Sequence, residues 1–232
     1  MTPSGAQGDG LGYSARMKNL RIDFVSDVSC PWCAIGLKSL EQALEQLPEL
    51  SVELHLQPFE LNPQMAAEGE EINAHLARKY GAAPAQLEQT REAIRQRGAE
   101  LGFSFTKGAR DRIYNTFDAH RLLHWAGLQG GSAQRDLKLA LLTAYFTEGQ
   151  NPSDHEVLRR VAESVGLDGF AATQLLVSDQ FSAEVRQAEA EWQAAGINSV
   201  PAIVINQRHL IQGGQPPEVF VQALRQIADA QV

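Results

Sequence analysis

Between Leu20 and Pro58 the spacing of apolar residues changes twice, and this change limits the folds open to the chain. Leu20-Arg21-Ile22-Asp23-Phe24-Val25 is rich in β-formers and reads as a short strand. Leu37, Leu40, Leu44 and Leu47 then recur every three or four positions, the stripe of an amphipathic helix, and Pro48 stops it. Val52, Leu54 and Leu56 alternate with polar residues, as one face of a second strand requires. Residues 20–58 are therefore a β-α-β unit. At its strand-to-helix junction stands Cys30-Pro31-Trp32-Cys33.

From about residue 62 to 195 the pattern is helical throughout. Pro84 suits a first helical turn, Ser132 can cap a helix carrying Leu137, Leu141 and Tyr145, and Ser153-Asp154-His155-Glu156 has a capping-box pattern. Ser182 opens a further helix that Gly196 closes. Then the character changes back. Val200 to Ile205 is a β-branched run, Asn206-Gln207 can turn, and His209-Leu210-Ile211 can return as a strand. Gly213-Gly214 breaks the chain, and Pro217 begins a last helix with Val221, Leu224 and Ile227. The order β-α-β, helical block, β-β-α predicts an α/β thioredoxin-like fold with a large helical insertion. Residues 18–61 and 197–232 form the discontinuous core, and residues 62–196 form a helical subdomain over the cysteine face. The block is too long to be a loop.

The bulk composition narrows the function. A formal charge of -8, with 20 scattered basic residues, argues against nucleic acid as a partner. Residues 1–17 are rich in Gly and small polar residues, lack the apolar stretch of a secretory signal, and read as a disordered tail. No run approaches the length of a membrane span. A cytoplasmic location is the expectation. In a reducing compartment, two cysteines in one four-residue unit point to catalysis, redox sensing or metal binding before a structural bridge.

Placed in the first turn of a helix, the two sulfurs lie close together. Cys30 falls at the helix N-terminus, where free N–H groups and the helix dipole favour a thiolate. Pro31 fits the first helical position, which needs no N–H. Cys33 lies deeper, where it can resolve a mixed disulfide formed by Cys30. Two other readings stay open: a buried structural pair, and a zinc site completed by His120 and His124. The spacing of the histidines suits zinc, but a usual finger separates its ligand pairs by about a dozen residues. Here His120 lies far beyond Cys33, so no metal is expected.

Taken together, Ser26-Asp27-Val28-Ser29-Cys30-Pro31-Trp32-Cys33, Gln57-Pro58-Phe59-Glu60-Leu61-Asn62-Pro63, Asn115 to Leu122, Val200-Pro201 and Gly213-Gly214-Gln215 form a recognisable series. The chain resembles the DsbA-like thioredoxin superfamily, and closely its FrnE-like branch of cytoplasmic proteins. The resemblance implies thiol–disulfide exchange through Cys30 and Cys33, supported by Pro31 and Trp32. It implies a cis bond at Val200-Pro201 facing the pair, with the Val200 backbone available to an extended substrate. It places Asp23 beneath the site as proton acceptor for the second thiol. It also turns Asn115 and His120 of the insert, and Gly214, toward a substrate groove. Protein or small-molecule thiols and disulfides are the implied partners, with glutathione a candidate co-substrate and no bound cofactor beyond the Cys30-Cys33 disulfide. A homodimer is expected by analogy of shape. Trp32 brings no histidine between the cysteines, as the periplasmic enzymes have, which implies a less oxidising disulfide. The same superfamily includes kappa-class glutathione transferases and 2-hydroxychromene-2-carboxylate isomerases, the alternative activity. Those usually carry Ser where Cys30 stands and lack Cys33.

Overall fold

The computed structural model describes residues 18–230 except Ala82; the expected disordered tail lies outside the described residues. Strand β1 (Lys18–Ser26) pairs in parallel with β2 (Leu50–Pro58), and helix α1 (Pro31–Glu45) is their crossover. The chain returns to this sheet only at its C-terminal end. There β5 (Ala202–Ile205) lies antiparallel to β1, and β6 (His209–Gln212) antiparallel to β5, followed by α9 (Pro217–Asp229). The sheet order is β2-β1-β5-β6. Asn206, Gln207 and Arg208 connect β5 to β6; the first two have φ of 52° and 55°, left-handed backbone, and the Arg208 N–H donates to the Ile205 carbonyl at 3.1 Å to close the turn.

Side chains alternate along a strand, and β1 shows what that alternation decides. Leu20, Ile22 and Phe24 enter the main core with Leu37 and Leu40 of α1 and Phe220 and Leu224 of α9. Each such fully buried side chain contributes about 1.5–3 kcal/mol. Val25 faces the other way, against Phe59, Ile197 and Ala202.

Among the described residues, seven helices run between β2 and β5: α2 (Ile72–Tyr80), α3 (Pro84–Glu100), α4 (Phe117–Leu128), α5 (Ala133–Phe146), α6 (His155–Ser164), α7 (Gly169–Leu176) and α8 (Ser182–Ala194). The block is not helical throughout. Residues Glu70–Glu71 (β3) pair antiparallel with Arg112–Ile113 (β4), and strands of two residues are too short to leave a periodic signal. At α6 the cap is Asp154, whose carboxylate accepts from the N–H groups of Glu156 and Val157, while the Ser153 hydroxyl donates to the Asn115 carbonyl. The helices have their own core, in which Leu122, Leu123, Leu137, Leu141, Leu158 and Leu175 meet. Two features tie it to the sheet. Helix α5 sends Leu142, Tyr145 and Phe146 into the main core, and Val28, just before the cysteines, is buried among the insert's leucines. No helix among the described residues is long and apolar enough to cross a membrane.

Candidate active site

Cys30 is the N-cap of α1, with extended backbone (φ −94°, ψ 115°), and Pro31 takes the first helical turn. The Cys33 N–H donates to the Cys30 carbonyl at 3.1 Å, closing the turn that brings the two free thiols together. Cys33 is fully buried and Cys30 retains 4% exposure, beside the exposed ring of Trp32. The thiols differ in acidity. A hydrogen bond from Cys33 draws the Cys30 thiol below its ordinary value against the opposing effect of burial, and the N–H groups of Cys33 and Trp32 add to the fall. Burial, then the bond to Cys30, pushes Cys33 well up. Ionisation is thus favoured at Cys30 over Cys33, the asymmetry that exchange requires.

The acid beneath the pair is Asp27, one turn of chain before it. Its carboxylate accepts from the Ser29 hydroxyl at 2.9 Å and the Leu61 N–H at 2.8 Å, and lies 3.4 Å from His120 Nε2. Burial alone would raise this carboxyl; His120, the Leu61 N–H and Lys138 together bring it down to about 2. Lys138 of α5 is 1% exposed. Burial lowers its pKa, opposed by the charges of Cys33, Asp27 and Cys30. The structure corrects the expectation for Asp23. It is buried on the β1 face opposite Ile22 and Phe24, with Arg21 Nε and Nη2 and Gln57 Nε2 on its carboxylate at 2.7–2.8 Å. Strand alternation turns it away from the α1 side, and its oxygens are committed there.

The Val200-Pro201 bond is cis, and Cys30 Sγ lies 3.7 Å from the Val200 carbonyl. Pro201 packs so close to α1 that a Cβ on Gly36 would stand 3.1 Å from its Cγ. Gly214 is held as tightly: a Cβ there would meet the Trp32 carbonyl at 3.0 Å. On the insert side, Arg110 Nη1 reaches the Ser29 carbonyl at 3.3 Å, and its guanidinium lies 4.9 Å from the centre of the Phe146 ring and 5.4 Å from that of Tyr145. Thus core and insert both border the thiols.

The family of the DSBA-like thioredoxin domain matches residues 21–225, nearly the whole chain. The chain belongs to the DsbA-like thioredoxin family. A probable DsbA oxidoreductase from Streptomyces coelicolor superposes with a TM-score of 0.85 at 31% identity, covering 92% of this chain and 91% of that one. YwbO of Bacillus subtilis is 26% identical over 206 residues, 88% of this chain and 96% of YwbO. The cytosolic disulfide reductase DsbM from Pseudomonas aeruginosa, solved with GSH, shares the fold at a TM-score of 0.61 and 20% identity, covering 89% of this chain and 98% of that one.

In this DsbA-like chain, two residues expected in the substrate groove have other work. Asn115 braces its own loop: its amide donates to the Met65 carbonyl at 3.2 Å and accepts from the Phe117 N–H at 2.9 Å. His120 is 2% exposed, turned inward to Asp27. His124 stacks on Phe181, with ring centres 5.0 Å apart. The reading by residue type missed Asp27, Lys138 and Arg110. Lys138 did leave a signal: with Leu141, Leu142 and Tyr145 it completes a helical stripe, so a lysine falls on a core-facing side of α5. Arg110 sits in an irregular loop and left none.

Proposed function

We propose that this protein catalyses thiol–disulfide exchange, with Cys30 as the attacking thiol and Cys33 as the resolving thiol. The observation that carries the reading is the asymmetry of the pair: Cys30 at the start of α1 has its thiol drawn down in pKa, and Cys33 behind it has its thiol pushed up. The thiolate of Cys30 attacks a substrate disulfide, one substrate thiol leaves, and Cys33 then displaces the second. The Val200 backbone beside Cys30 suits pairing with an extended substrate in β fashion. A cytoplasmic site of action, membership of the FrnE-like branch and glutathione as co-substrate belong to the same proposal. The cytosolic DsbM solved with GSH supports the last.

The test is insulin reduction run beside glutathione conjugation. Wild type reduces insulin, Cys30→Ser does not, and Cys33→Ser accumulates mixed disulfides at Cys30. Conjugation that survives in Cys30→Ser, with no insulin reduction by wild type, would instead identify a glutathione transferase.

A further inference from the structure

Beside Pro31 a cavity of about 340 Å³ opens between α1 and the insert, at the lower end of the size of small-ligand sites. Phe105, Phe146 and Ile94 give it an apolar wall. Its cations are not equivalent. Arg91, Arg95 and Lys107 all face Glu88, at 3.9, 2.8 and 3.7 Å. Glu71, also on the wall, is occupied in capping α2 through the N–H groups of Asn73 and Ala74. Arg110 has no carboxylate within ion-pair distance among the described residues, although Asp111 follows it in the chain. Its long contact to the Ser29 carbonyl leaves several of its five N–H donors uncommitted. Two aromatic rings hold the guanidinium in place, so little freedom remains to be lost when a planar anion binds. Arg110 thus touches the residue before Cys30, and Pro31, the residue after it, lines the same cavity.

We infer that Arg110 is a specificity-determining residue, and that the cavity receives a carboxylate which the disulfide substrate carries within a few atoms of its sulfur. The inference rests on the exchange reaction proposed above and names its substrate class. With the carboxylate held by Arg110, the Cys30 thiolate attacks the nearer substrate sulfur. The S–S bond breaks, and the far half leaves as a thiolate that takes a proton from solvent. Cys33 then loses its proton and attacks the Cys30 sulfur, releasing the carboxylate-bearing half as the second thiol. Two protein thiols are oxidised to one disulfide as one substrate disulfide is reduced to two thiols.

Two disulfides of matched length separate the effect of charge from that of chemistry: 3,3′-dithiodipropionate, with a carboxylate on each half, and uncharged bis(2-hydroxyethyl) disulfide. The measurement is the rate at which each oxidises the reduced full-length protein, for wild type and Arg110→Met, which keeps an apolar stem over the rings. Arg110→Met should slow reaction with the dicarboxylate about tenfold, the usual size of a lost charge-assisted hydrogen bond, and leave the neutral disulfide within about twofold. An equal fall with both disulfides, or no fall with either, overturns the assignment of Arg110 while exchange by wild type stands. Failure of wild type to react with either disulfide overturns the exchange reaction itself, and this inference with it.

Discussion

Cys30 and Cys33 carry the same side chain, and their difference arises from where a helix begins. Cys30 caps α1, while Cys33, one turn on, is enclosed. In the reduced protein at pH 7, iodoacetamide followed by peptide mapping should therefore label Cys30 at least about tenfold faster than Cys33. Asp27 opposes ionisation of Cys30 by its negative charge. Asp27→Asn should accordingly move the alkylation profile of Cys30 to lower pH. The same carboxylate links stability to acid. Its pKa in the folded protein is about 2, below the unfolded value of roughly 3.9. The stabilisation is thus complete above the unfolded value and is lost as pH falls through the folded one, about 2–3 kcal/mol in all. Urea unfolding between pH 5 and pH 2 should show a shallower acid-side loss in Asp27→Asn than in wild type; parallel curves would contradict the assignment.

Elements fit together here through single side chains that complete another element's backbone. β2 is an edge strand of the four-stranded sheet, and an open edge invites pairing with other chains. Gln134 of α5 closes part of it: its Oε1 accepts from the Leu56 N–H at 2.9 Å and its Nε2 donates to the Leu56 carbonyl at 3.1 Å. Gln134→Ala should cost about 1–3 kcal/mol, the usual result of leaving buried backbone groups unpaired, read as a lower urea midpoint. At the cysteine turn, a methyl group on Gly214 would stand 3.0 Å from the Trp32 carbonyl and 3.1 Å from Ile35, tight enough that a neighbour must move. Gly214→Ala should destabilise by about 1–3 kcal/mol and slow insulin reduction, because the displaced groups belong to the turn that carries both cysteines. A fully active, equally stable variant would show that the contact is not a constraint.

Across the whole molecule, α8 is fastened to the segment after β2 by charge. Arg186 pairs with Glu60 and, at 2.8 Å, with Glu189, and its guanidinium lies 3.7 Å from the centre of the Phe117 ring. One half-exposed cation thus serves two buried carboxylates. Burial first, then the charge of Glu189, raises the Glu60 carboxyl. A carboxyl raised in the folded state withdraws stability as pH climbs through its folded pKa. Arg186→Ala removes the counter-charge and should destabilise by about 2 kcal/mol at pH 7. The deficit should shrink as pH falls and Glu60, raised above the ordinary carboxylate range, takes up its proton; thermal unfolding of both proteins from pH 7 downward measures it. A deficit constant with pH would assign the loss to packing on Phe117 instead.

What the sequence determined by itself is local in origin. The alternation along β1 and β2, the stripe of α1, the Asn206-Gln207 turn and the placing of Cys30-Pro31-Trp32-Cys33 at a helix start all follow from neighbours within about a turn or a strand. The same alternation also turned Asp23 away from α1, because Ile22 and Phe24 must face the core. Family resemblance, not periodicity, pointed to Val200-Pro201. Tertiary structure alone decided which charges reach the thiols. His120, Lys138 and Arg110 come from distant segments whose approach to Cys30, Cys33 and Asp27 depends on how the insert's leucines pack around Val28 and how α5 enters both cores. Propensity does not encode that approach. A charged side chain's partner is set by the apolar faces that carry it there.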